Sequence, residues 1–125
     1  MTGPQSDRTL TYAAHLTRED VSALETFLIT QLVRVHEEVG ETGEASFAMQ
    51  SLLSLFSDSA GFLHALLRLK QPDEWQRAAI VREWQRLRGA AHPFNHRAGF
   101  DHDRWWKQVH HYDASDVTAE WERKR

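Results

Sequence analysis

The chain has 125 residues, 41% hydrophobic and 26% charged, with a formal net charge of −3. That is the composition of one globular domain, and it argues against a disordered or fibrous chain. There is no cysteine, which excludes disulfides, thiolate metal sites and thiol nucleophiles. No apolar run approaches the length of about 18 residues needed to span a bilayer, and no basic-then-apolar leader opens the sequence, so the expectation is a soluble, cytoplasmic protein with no membrane partner.

Residues 1–16 hold Gly3, Pro4 and scattered polar groups without periodicity, and read as a flexible N-terminal arm whose later part Leu10, Tyr12 and Leu16 pin to the body. The single helical domain then covers residues 17–125. Thr17 and Asp20 form a capping box ahead of Val21, Leu24, Leu28, Leu32, Val35 and Val39, one apolar face of a helix that Gly40 stops. Phe27 falls on the polar side of that helix, beside Arg34 and Glu38.

The segment 44–70 is the most apolar. Ala48, Leu52, Leu55, Ser59, Phe62, Leu66 and Leu69 alternate spacings of four and three, and Met49, Leu53, Phe56, Leu63 and Leu67 widen the stripe. The pattern predicts the central helix of the fold, either one bent helix or two with a break at Ser57-Asp58-Ser59. Pro72 and Asp73 open a helix to Ala91, in which Trp84 aligns with Ile80, Leu87 and Ala91 as core. Trp75 lies instead on the side of Arg82 and Arg86. Residues 89–99 read as loop. Asp101 or Asp103 caps a helix through Tyr112 that carries Trp105 and Val109 on one face. Asp113 starts a short terminal helix containing Val117 and Trp121. No segment alternates as a strand does, so the expected fold is all-α, a compact bundle of four main helices plus a short C-terminal one. Leu28, Leu32, Leu52, Leu55, Leu66, Ile80, Trp84 and Val109 are its expected core.

Chemistry-bearing residues crowd the C-terminal half. All five tryptophans lie beyond residue 74, with five of the eight histidines. Residues 1–66 carry nine acidic side chains against three basic, whereas residues 67–125 carry nine against twelve. Three readings follow. The favoured one is a non-enzymatic binding or regulatory module acting through protein contacts, with self-association included, because tryptophan and arginine dominate contact energies. Its residues are Trp75, Trp106 and Trp121, the tryptophans not placed on core stripes, flanked by Arg82, Arg86 and Arg104. The second is nucleic-acid binding through the same arginines, which the sequence pI of 6.2 and the interspersed carboxylates disfavour. The third is a metal site, hydrolytic in one version, built from His92, His96 and His102 with nearby aspartates. Pro93 and Asn95 imply a turn here, whereas a spacing of four aligns two imidazoles only on a helix. No phosphate loop or nucleophile elbow is present and no cofactor is implied, so the sequence leans away from an enzyme.

Overall fold

The structure is a computed structural model that describes residues 8–39 and 43–124. It is 75% helical, with no strand among the described residues, and its helices pack into an all-α bundle. In chain order these are α1 (Arg18–Val39), α2 (Gly43–Leu67), α3 (Glu74–Ala91), the single-turn α4 (His102–Trp105) and α5 (Ala114–Arg123). Short 3-10 turns occur at Ala13–His15 and His92–Phe94. The stop expected at Gly40 lies outside the described residues, as do residues 1–7 of the N-terminal arm. Residues 8–16 are packed onto the body, where Leu10, Ala13 and Leu16 are buried.

The helix starts follow local hydrogen-bond chemistry. Thr17 N–H donates to Asp20 Oδ2 at 2.9 Å and Asp20 N–H donates to Thr17 Oγ1 at 3.1 Å, the reciprocal box that opens α1. Asp73 and Gln76 do the same for α3, Asp101 caps α4, and Asp113 with Asp116 opens α5.

The three long helices all contact one another, and α2 is the least buried of them, since α1 buries Val21, Leu24, Phe27, Leu28, Gln31 and Leu32. α3 buries Ala79, Ile80, Glu83, Trp84, Leu87, Arg88 and Ala91, while α2 buries only Ala60, Leu63 and Leu66. The expectation of a central 44–70 helix is therefore corrected. Segment 43–67 is one uninterrupted helix, but its apolar stripe is wider than its partners can cover. Phe56, Ala60, Leu63 and Leu67 face α1 and α3. Leu52 and Leu55, expected in the core, are 40% and 61% exposed. The other six expected core residues are buried.

The expected helix 101–112 shrinks to one turn for a reason of hydrogen-bond supply. Two groups that a continuing helix would pair internally, the Trp106 carbonyl and the Tyr112 N–H, are engaged elsewhere, and the carbonyls at its expected end are docked on the N-terminal segment. Ala13 N–H donates to the His111 carbonyl at 3.1 Å, Ala14 N–H to that of Tyr112 at 2.7 Å, and Arg88 Nη2 to that of Trp106 at 2.6 Å. Asp116 Oδ2 accepts from the Tyr112 N–H at 2.9 Å. With its polar groups satisfied by tertiary partners, this stretch of aromatic, histidine and β-branched residues has little reason to stay helical. Val109 still reaches the core.

A second correction concerns Phe27, which is buried rather than on a polar face. Its ring lies 5.8 Å from Phe100 and 5.3 Å from Trp105, and Phe100 meets Trp105 edge-on at 5.4 Å. The loop that closes this cluster turns at Gly99, whose φ of +94° suits glycine alone and sets it against the Phe27 ring. Arg97 Nη1 donates to the buried Gln31 Oε1 at 3.4 Å and tethers the same loop to α1.

Candidate aromatic and arginine interface

The tryptophans divide by burial. Trp84 is 0% and Trp105 3% exposed, whereas Trp75, Trp106 and Trp121 are 64%, 50% and 68% exposed. Trp75, Arg82 and Arg86 share one exposed face of α3, since steps of seven and four residues return to nearly the same helical angle. The two arginines converge on Glu83 Oε2, each at 3.3 Å. Glu83 itself is buried and takes Arg82 at Nε and Arg86 at Nη1, while both arginine side chains remain largely in water.

Trp106 stands at the other end of α3. Its ring stacks on His102 at a centroid distance of 5.6 Å and lies 5.1 Å from His92 at the α3 C-terminus. Its carbonyl is held by Arg88, a buried guanidinium with no acidic partner among the described residues. Burial pushes the Arg88 guanidinium below its usual range. Trp106 is therefore fixed at both its backbone and its ring, with half its surface in solvent. Trp121 projects from α5, which packs beside the first turns of α3 across a groove lined by Arg77, Val81, His110, Tyr112 and Asp116. Arg77 caps the Tyr112 ring from this groove at 5.7 Å. No aromatic contact joins the three exposed tryptophans to one another among the described residues.

Arg104 has a different role from the one its sequence position suggested. Its side chain is 15% exposed and grips Asp20 with two bonds, Nε to Oδ1 at 3.0 Å and Nη2 to Oδ2 at 2.6 Å. It also donates to the carbonyls of Arg8 and His15. Burial alone would raise the Asp20 carboxyl, but the bonds from Arg104 and Thr17 outweigh it and hold that carboxyl below its usual range. Arg104 clamps the N-terminal segment onto α1.

The histidines are not gathered around a common point. His92 and His102 flank the Trp106 ring, and His96 is exposed. Among the described residues no group of three or more histidines and carboxylates is placed to hold a metal ion. The remaining arginines are dispersed: Arg97 lies over Phe94, and Arg8 pairs with Asp101 and Asp103. Ser22 and His64 approach to 3.5 Å, the outer limit of a hydrogen bond, and His64 Nδ1 has no partner to orient the ring. No described helix is long and apolar enough to cross a membrane. No protein-family model matches the chain, and the searches of curated proteins and of solved structures returned no match.

Proposed function

We propose that this chain is a non-enzymatic binding module that grips a protein partner through aromatic anchors presented along α3 and its C-terminal end. The observation that carries this reading is Trp106, half exposed yet fixed by the Arg88 bond and the His102 stack. An anchor already ordered in the free protein loses little side-chain entropy on binding, which is the property that makes a tryptophan a contact hot spot. Trp75, on the same face of α3 as Arg82 and Arg86 two and three turns further on, supplies a second anchor, and Trp121 a third.

The test compares proteins that co-purify with the wild-type chain and with Trp75→Ala, Trp106→Ala and Trp121→Ala, at low and high salt. A partner retained in high salt by wild type and reduced at least about tenfold by Trp106→Ala fits burial of an aromatic anchor. Co-purification untouched by all three variants removes the reading. Binding that disappears with salt alone and goes to polyanions replaces it with nucleic-acid recognition.

A further inference from the structure

The most apolar open surface lies away from these tryptophans, on α2. Phe47, Leu52, Leu55 and Phe62 are 68%, 40%, 61% and 40% exposed. At 100° per residue they fall within an arc of about 140°, with the exposed Ala48, Ser51 and Ala65 between them. From Ala45 to Leu67 the only charged side chain is Asp58, and there is no lysine or arginine. The solvent faces of the other long helices differ: α1 exposes Arg18, Glu19, Arg34, Glu37 and Glu38, and α3 exposes Glu74, Arg82 and Arg86. A face made of Phe, Leu, Ser and Ala has the composition of a helix–helix contact and not of a hydrated surface.

We propose that α2 pairs with α2 of a second copy of this chain, making a symmetric dimer. Three observations select that occupant. First, Ala48, Leu52, Leu55, Ser59 and Phe62 follow the alternating four-three spacing of a helix-pairing seam. The seam interleaves large residues (Leu52, Leu55, Phe62) with small ones (Ala48, Ser59), and Ser51 lies beside it. One helix therefore carries both knobs and holes, as a self-complementary two-fold contact requires. Second, the area suffices. Taking roughly 200 Å² for each large side chain, the four leave about 400 Å² of apolar surface open per copy. Doubled by symmetry and extended by the small residues between, this reaches the roughly 1,000 Å² that a specific interface needs. Third, the absence of cations removes the attraction that would draw the face to an anionic lipid surface or to nucleic acid.

The test is sedimentation of the full chain over about a hundredfold range of concentration, for wild type, Leu55→Glu, Phe62→Glu and Trp121→Ala. Wild type and Trp121→Ala sediment as dimers. Each glutamate variant enters the interface twice by symmetry and weakens the dimer at least about a hundredfold. Circular dichroism checks that helix content is kept; if a glutamate variant loses it, Leu55→Ser, which adds no charge, is read in its place and must also weaken the dimer. A wild-type chain that stays monomeric throughout overturns the proposal, as does a dimer indifferent to the α2 variants. A dimer lost only in Trp121→Ala moves self-association to the tryptophan surface. Because the α2 variants leave Trp106 untouched, failure here is separable from failure of the partner-binding reading.

Discussion

Replacing Arg104 by alanine removes four hydrogen bonds at once: two to Asp20 and one each to the carbonyls of Arg8 and His15. The Asp20 carboxylate that remains is 11% exposed, so it keeps its charge out of water with only Thr17 to satisfy it. Breaking a buried charge pair by deleting one member costs about 3–5 kcal/mol. The Arg104–Asp20 pair borders an open groove, with Arg8, Tyr12 and Thr17 on its walls, and water there lowers the figure to about 2–4 kcal/mol. Urea denaturation of wild type, Asp20→Asn, Arg104→Ala and the double variant closes a cycle whose coupling should be about 1.5 kcal/mol or more. The same pair sets an acid limit. Because the folded carboxyl lies below its usual value of 3.8, the stability it contributes is fully present above that pH and is lost as pH falls through the depressed folded value. Asp20→Asn should flatten this part of the acid denaturation curve. A coupling below about 0.5 kcal/mol would put the pair with ordinary surface ion pairs and refute the clamp.

The middle and the C-terminal end of α2 should respond differently to truncation. Leu66→Ala, at a buried site, costs about 2–5 kcal/mol in chemical denaturation. Leu55→Ala, measured at concentrations where the chain is monomeric, changes stability by less than about 1 kcal/mol, and a larger loss would mean that Leu55 is covered within its own chain. Acrylamide should quench the emission of Trp75, Trp106 and Trp121 and leave that of Trp84 and Trp105 protected, as single-tryptophan variants would show. Asp73→Ala removes the reciprocal cap of α3 and costs about 1 kcal/mol, whereas Asp73→Asn or Asp73→Ser keeps most of it.

What the sequence made legible was local. The caps at Thr17–Asp20, Asp73, Asp101 and Asp113 announce themselves, because the donor and acceptor that meet are within four residues of each other. Helical phase separated Trp84 from Trp75 for the same reason. The misreadings arise where a distant segment decides. Phe27 is buried because the Gly99–Phe100 turn, more than 70 residues away, folds onto it. Residues 106–112 leave the helix where Arg88 claims the Trp106 carbonyl and the Ala13–Ala14 segment docks on His111 and Tyr112. Leu52 and Leu55 lie on an apolar stripe like Leu63 and Leu66, and periodicity cannot count the neighbours available to cover it. Arg104 was recognisable as basic, but nothing local tied it to Asp20, 84 residues earlier.

The open apolar surface thus comes in two chemically different kinds. On α2 it is contiguous and nearly uncharged, so it offers no long-range electrostatic steering, and any association it drives should be largely indifferent to salt. Around α3 it is a set of separate tryptophans, one against histidines and one on a face that also carries Arg82 and Arg86. If it binds a partner as proposed, such a surface would discriminate by charge as well as by shape. A dimer closed through α2 would leave the exposed α3 face free on each copy and so present its anchors in pairs. A partner with two matching sites would then bind with an avidity neither face supplies alone, an advantage that Leu55→Glu should abolish without altering affinity for a single site.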